Sequence, residues 1–123
     1  MVKMNDKKTK AVQSVQTAGK DVKIIVDIKA FYKPETIYLV GDIAKLGNWN
    51  LKKAVAVKKN EKGEYVRLFK DVNVEGFEFK ILHSPDWCSV EKGIFAEEIE
   101  NHYVAVSTTQ KTTNVTITVY NWA

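Results

Sequence analysis

A chain of 123 residues is the size of a single domain, long enough to enclose one hydrophobic core. Its net charge of +4 comes entirely from residues 1–20, which contain five lysines and one aspartate, because residues 21–123 hold 14 basic and 14 acidic groups. Since the larger region is neutral and no apolar run approaches ~18 residues, neither nucleic acid nor a membrane is expected as a partner, and the single Cys88 excludes an internal disulfide or a cysteine-based metal site.

Residues 1–20 are rich in lysine, threonine and glutamine and show no sustained apolar period. This composition predicts a disordered basic N-terminal arm or linker. The segment also lacks the apolar core of a secretory signal, so no signal peptide is expected in this chain. The compartment stays open, because a module excised from a larger secreted protein would have the same sequence pattern.

From residue 22 onwards, apolar residues recur at every second position, as in a strand with one buried face. The predicted strands are 22–30, 37–40, 54–58, 65–70, 77–82, 103–107 and 114–120. The clearest hairpin loop is 59–63, and residues 83–100 are expected to form a long irregular loop with a short turn of helix around 96–98. About seven or eight short strands without a long amphipathic helix predict an all-β fold, an antiparallel immunoglobulin-like β-sandwich over residues 21–123.

Two side chains stand out by their local pattern. Trp49 follows Gly47 and Asn48, which both tolerate positive φ, so it comes directly after a tight turn where a large side chain is displayed more easily than buried. Position alone does not distinguish a displayed Trp49 from a core residue. On the strand 77–82 the aromatic residues share one face with Ile81, so Lys80 is expected on the outward face, where a solvated lysine is the ordinary interpretation.

At these residues the chain resembles a known family. The stretches YLVGDI (38–43), LGNWN (46–50) and KAV (53–55) are similar to the opening of the starch-binding modules, family 20 of the carbohydrate-binding modules. The similarity continues, in the same order, through FEFKI (77–81) and SVE (89–91) and into the last strand with its terminal tryptophan. The resemblance implies a non-catalytic β-sandwich that binds α-glucans such as starch, glycogen or maltooligosaccharides. It implies no cofactor, and an attached or associated amylolytic enzyme as partner.

The resemblance assigns roles to three residues. Trp49 corresponds to an aromatic platform on which a sugar ring stacks. Lys80 corresponds to a lysine that donates hydrogen bonds to sugar hydroxyls. Asn101, near the start of the following strand, corresponds to an asparagine that contacts the sugar.

At two places the chain departs from the family pattern. The second stacking tryptophan of the family directly follows the Ser-Val-Glu element, where this chain has Lys92. Trp87, five residues earlier in the same loop, is expected to supply that platform instead. A second family site uses two tyrosines; Tyr32 stands close to the position of one, and no residue corresponds to the other. Trp122 is interpreted as structural.

Two other functions remain open from the residues themselves. In the first, an immunoglobulin-like domain binds another protein, with Trp49 and Trp87 contributing to an apolar patch. In the second, the N-terminal lysines, together with the lysines at 52–53 and 58–59, bind nucleic acid, and such binding would be steeply salt-dependent.

The catalytic alternatives are weaker. Glycoside hydrolysis needs two carboxylates that face each other across a cleft, and Glu97, Glu98 and Glu100 are more simply a solvated acidic loop. His83 and His102 are too isolated in the sequence to be read as a metal-binding pair. The sequence therefore predicts a binding module and not an enzyme.

Overall fold

The structure, a computed structural model, describes residues 19–123. The predicted N-terminal arm therefore lies outside the described residues, apart from Gly19 and Lys20. The strands are β1 (Asp21–Ile28), β2 (Thr36–Gly41), β3 (Val55–Lys58), β4 (Tyr65–Phe69), β5 (Gly76–Leu82), β6 (Glu91–Lys92), β7 (His102–Ala105), β8 (Thr112–Val119) and β9 (Asn121–Trp122). Short 3-10 segments cover Ala44–Trp49, Leu51–Lys53 and Trp87–Ser89. Among residues 19–123, no helix is both long and apolar enough to cross a membrane.

Two sheets form the sandwich. One has the strand order β4-β1-β8, the other has the order β3-β2-β5-β7, and β6 pairs separately with β9. All pairs are antiparallel except β1 and β8, which run parallel in a register from Asp21–Thr112 to Ile28–Val119. Strands β1 and β8 are far apart in the chain, and β8 is reached from β7 in the other sheet. No hairpin connects β1 to β8, so their parallel direction meets no constraint from a tight turn. The predicted all-β sandwich is confirmed.

The core lies between the two sheets and follows from the alternation of apolar residues. On β1 the buried side chains are Val22, Ile24, Val26 and Ile28, all on one face. The four-stranded sheet contributes to the same cluster, with Phe79 fully buried at 0% exposure. Burying each such side chain stabilises the fold by about 1.5–3 kcal/mol. Because the apolar residues occupy every second position, they share one face of the strand, and that face turns inward.

One buried hydrogen bond ties the chain between the two sheets. The Tyr65 hydroxyl donates to the backbone oxygen of Pro34, which precedes β2. Burial, followed by the nearby Glu35, raises the pKa of the Tyr65 hydroxyl above its usual value. The phenol therefore remains protonated and keeps donating to Pro34 at neutral pH.

The other face of the four-stranded sheet, which we call the outer face, carries Tyr38 and Val40 of β2 opposite Leu82 and Lys80 of β5. Val40 and Leu82 are fully buried although they lie outside the core between the sheets. The chain after β5 turns back, since Leu82 forms a bridge with Val90 and the His83 amide donates to the Ser89 oxygen at 3.2 Å. The segment 83–101 thus covers part of the outer face.

The predicted helical turn around 96–98 is wrong. Ala96 has a φ of +64°, which a right-handed helix cannot accommodate. The segment is instead a tight turn in which the Gly93 amide donates to the Glu97 oxygen at 2.9 Å and the Ala96 amide donates to the Gly93 oxygen at 2.9 Å. The Glu97 side chain also accepts from the Phe95 amide at 2.8 Å. These local bonds replace the helix.

Candidate functional site

The loop after β2 positions Trp49. It starts where Asp42 and Glu78 exchange two hydrogen bonds, from the Asp42 amide to the Glu78 oxygen at 3.1 Å and from the Glu78 amide to Asp42 Oδ1 at 3.0 Å. Leu46 is fully buried and anchors the loop on the core. Trp49 is half-buried and is not part of the core cluster.

The turn before Trp49 requires glycine. Gly47, Asn48 and Trp49 have φ values of +83°, +50° and +63°, three successive left-handed residues. A Cβ on Gly47 would lie 2.7 Å from the Lys53 backbone oxygen, so a side chain there would push the two chain segments apart. The predicted tight turn is confirmed.

Lys80 and Asn101 line the same pocket. This first pocket has a volume of about 450 Å³ and lies on the outer face, lined by Glu78, Lys80, Glu100, Asn101 and Tyr103. Asn101 Nδ2 donates to Glu78 Oε1 at 2.8 Å, which fixes the amide. Lys80 Nζ lies 3.5 Å from the Ile99 oxygen and is half-buried. The pocket therefore combines an ammonium, an amide and two carboxylates with one aromatic ring.

An ion pair lies beside this pocket. Lys92 Nζ is 2.9 Å from Glu98 Oε2. The hydrogen bond from Lys92 and its positive charge lower the pKa of the Glu98 carboxyl, and the charge of Lys80 adds a smaller effect in the same direction. Glu98 is therefore ionised at neutral pH, and Lys92 is engaged with it.

A second pocket lies on the outer face toward β3. It has a volume of about 300 Å³ and is lined by Tyr38, Leu51, Lys52, Ala54 and Pro85. Trp49 and Trp87 are each two residues along the chain from a lining residue, Leu51 and Pro85 respectively. The two indoles thus belong to the segments that form this second pocket, and neither lines the pocket of Lys80 and Asn101.

Trp87 lies in the short hairpin between β5 and β6. Asp86 caps the 3-10 turn by accepting from the Cys88 amide at 2.8 Å, and Ser89 Oγ donates to the Asp86 oxygen at 2.8 Å. Trp87 is 46% exposed. These bonds hold Trp87 at the surface, so it is not a residue packed beneath the sheet.

Tyr32 lines neither of these pockets. Its ring, 54% exposed, contacts the ring of His83 edge-on at 5.3 Å, and His83 contacts Trp122 in the same way at 5.2 Å. Trp122 Nε1 donates to the Tyr32 backbone oxygen at 2.9 Å, and Trp122 packs against the core. The structural interpretation of Trp122 is therefore confirmed.

Sequence reasoning missed three residues of the first pocket: Glu100, which was interpreted as part of a solvated acidic loop, and the strand residues Glu78 and Tyr103. Glu78 and Tyr103 point to the outer face, because they pair with each other across β5 and β7 while their neighbours Phe77 and Val104 are buried. The alternation along 103–107 contained this signal, since buried Val104 requires Tyr103 to face outward.

Comparisons with known proteins agree with this fold. The family described as "Starch binding domain" matches residues 21–116. The gamma-CGTase from alkalophilic Bacillus clarkii is 25% identical over 81% of this chain and 15% of its own length, with a TM-score of 0.55. The glycoside hydrolase family 15 glucoamylase from Hypocrea jecorina is 19% identical over 85% of this chain and 17% of its own, with a TM-score of 0.59. The Hormoconis resinae glucoamylase is 12% identical over 85% of this chain and 18% of its own length, with a TM-score of 0.62.

The three solved structures differ in what they support. The two glucoamylases are below 25% identity and show the fold alone, and the chain spans less than a fifth of the length of all three enzymes. No curated protein sequence matches the chain significantly. The family match is the stronger finding because it covers most of the sequence. The chain therefore belongs to the starch-binding domain family and is a non-catalytic module that binds α-glucans.

Proposed function

We propose that this module binds a stretch of starch, glycogen or maltooligosaccharide across the outer face of the four-stranded sheet. By doing so it concentrates an attached or associated amylolytic enzyme on its polymer. The observation that carries the proposal is the first pocket, in which Lys80 and Asn101 converge on one volume of about 450 Å³. Pockets of this size with a few convergent polar groups are typical ligand sites.

The polar contacts of the sugar come from Lys80 and Asn101. A glucose unit carries hydroxyl groups that donate and accept hydrogen bonds. Lys80 Nζ offers three donors, and its single long contact, to the Ile99 oxygen, leaves donors for the sugar. The Asn101 amide has one N–H engaged by Glu78, so its oxygen is oriented to accept from a hydroxyl.

The apolar contacts come from Trp49 and Trp87. The C–H faces of a glucose ring match a flat indole, and covering ~100 Å² of apolar surface on one ring is worth roughly 2–3 kcal/mol at ~25 cal/mol/Å². Two such platforms, less the free energy of association, give a Kd of about micromolar to millimolar. The indoles belong to the segments of the second pocket, so a bound glucan would extend over both pockets.

Tyr32 is proposed as a separate, peripheral sugar contact. Its exposed ring and its edge contact with His83 support a fixed aromatic surface next to the hairpin that carries Trp87. Because it stands apart from the first pocket, we expect it to contribute only to long glucans. Short maltooligosaccharides would not reach it.

The proposal includes no catalytic activity of the chain itself. Two of the acidic residues considered for glycoside hydrolysis are engaged locally, since Glu97 accepts from the Phe95 amide and Glu98 pairs with Lys92. Amylolytic activity would reside in the enzyme partner.

The direct test is a pull-down on granular starch combined with a maltoheptaose titration followed by tryptophan fluorescence. We expect the protein to co-sediment with starch and its indole emission to change with sugar at micromolar to millimolar concentration. A protein-binding domain would ignore maltoheptaose and cyclodextrin alike. A nucleic-acid-binding protein would bind an oligonucleotide, and deletion of residues 1–20 would remove most of that affinity and its salt dependence. Either result, with no sugar binding, contradicts the proposal.

A further inference from the structure

We infer that Tyr103 is the aromatic wall of the first pocket and that a glucose unit held by Lys80 and Asn101 stacks on it. The inference rests on the proposed function and adds a sugar contact to it. Neither Trp49 nor Trp87 is among the residues that line this pocket. Among its lining residues, Tyr103 is the aromatic one.

The strand register directs Tyr103 to the outer face. On β7 it pairs with Glu78, while the next residue, Val104, pairs with Phe77 in the core. Tyr103 is 63% exposed, far more than a residue that fills the sandwich. It therefore presents surface to the pocket and does not support the core.

A glycine on the neighbouring strand makes room for the ring to lie against the sheet. A Cβ built on Gly76 would collide with Oη and Cζ of Tyr103. The end of the phenol ring therefore occupies the space over Gly76 that any other residue would fill with its side chain. A ring that lies against the sheet in this way has less rotamer freedom to lose on binding, so more of the stacking free energy contributes to affinity.

The chemistry around the ring suits a sugar. Lys80, Asn101, Glu78 and Glu100 supply donors and acceptors at the sides of the pocket, and the phenol supplies a flat apolar surface. A glucose unit presents the complementary arrangement, with apolar C–H faces and a polar rim. A nucleotide or an acidic ligand would instead meet two carboxylates.

The experiment measures the Kd for maltoheptaose of Tyr103→Ala and Tyr103→Phe by calorimetry, with thermal unfolding as the folding control. Losing roughly 60 Å² of stacked apolar surface weakens binding about tenfold, so we expect this loss for alanine. Tyr103→Phe keeps the ring and should bind within about threefold of wild type, since it loses at most one net hydrogen bond of the hydroxyl. Tyr120→Ala removes another exposed tyrosine, 49% exposed and absent from both outer-face pockets, and should leave the Kd unchanged.

A second variant tests how the ring is held. Gly76→Ala should displace the ring and weaken maltoheptaose binding, but it should have no further effect in the Tyr103→Ala background. An equal loss in both backgrounds would show that Gly76 acts otherwise than through Tyr103. If Tyr103→Ala binds as wild type does while Lys80→Met binds more weakly, the inference is wrong and the proposed function stands. If wild type itself binds no maltoheptaose, the proposed function has failed.

Discussion

The two faces of the four-stranded sheet differ in burial and polarity although the same strands form both. On β5, the inward side chains Phe77, Phe79 and Ile81 are at most 1% exposed and pack into the core. The outward Glu78 and Lys80, on the same strand, line a polar pocket. We therefore propose that the inner face determines stability and that the outer face determines recognition. Substitutions on the two faces should separate these properties.

The largest effect is expected on the inner face, from Phe79→Ala. The side chain is fully buried, so its removal leaves a cavity and should lower the free energy of unfolding by about 3–5 kcal/mol. For a domain of this size each kcal/mol corresponds to a Tm shift of about 4 °C. Differential scanning calorimetry would measure it. A fall of only a few degrees would mean that the core is not packed as described.

The next effect is expected at the outer surface, from Trp49→Ala. Loss of one indole platform should weaken maltoheptaose and cyclodextrin binding about 30- to 150-fold, corresponding to roughly 2–3 kcal/mol of stacking. The Tm should change little because Trp49 lies outside the core cluster. Phe31→Ala is the matched control, because Phe31 is fully exposed and lines neither outer-face pocket. Equal losses in both variants would contradict a specific role for Trp49.

Tyr65→Phe tests the link between the sheets. Removing the hydroxyl leaves the Pro34 oxygen without its buried donor and should cost about 1–3 kcal/mol of stability, with sugar affinity unchanged. The raised pKa of Tyr65 also predicts a pH dependence. The contribution of the protonated Tyr65 hydroxyl to the free energy of unfolding is complete below about pH 10, the pKa of an unfolded tyrosine. It is lost as the pH rises through the higher pKa of the folded state. Urea unfolding at pH 7 and pH 10.5 should show that raising the pH lowers the free energy of unfolding less in the variant than in the wild type.

The smallest effect is expected from Lys80→Met, which retains the side-chain length but removes the ammonium. Without its hydrogen bonds to sugar hydroxyls, binding of maltoheptaose should weaken about fivefold, the effect of roughly one net hydrogen bond. Lys58→Met, at the end of β3 in the same sheet, should leave the Kd unchanged. If both lysine variants bind equally weakly, the effect of Lys80 is one of general charge and not of the pocket.

The accuracy of sequence reasoning differed between these two faces. The strands and the inward face of β5 followed from alternation, and so did the outward direction of Lys80. That Lys80 and Asn101 share a pocket was implied by the family resemblance. Their separation along the chain, one on β5 and the other just before β7, gives no local signal that they meet.

The loop residues were less predictable. Trp87 was expected to complete the site of Lys80, yet its hairpin borders the second pocket through Pro85. Residues 96–98 were expected to form a helical turn, but the hydrogen bonds from the Gly93 amide and to Glu97 select another conformation. Loop conformations depend on such individual bonds, which periodicity does not encode.

The sequence by itself determined the all-β class, the approximate positions of seven of the nine strands in residues 19–123, and which side of the longer strands is apolar. Burial on a pleated strand repeats every two residues, and the two-residue strands β6 and β9 are too short to show that period. The sequence also carried the motifs that place the chain in its family. Only the tertiary structure decided that Tyr103 lies over Gly76 and faces the pocket of Lys80 and Asn101. Those contacts join residues from different strands, and their geometry is set by strand register and by the fold of the segment 83–101.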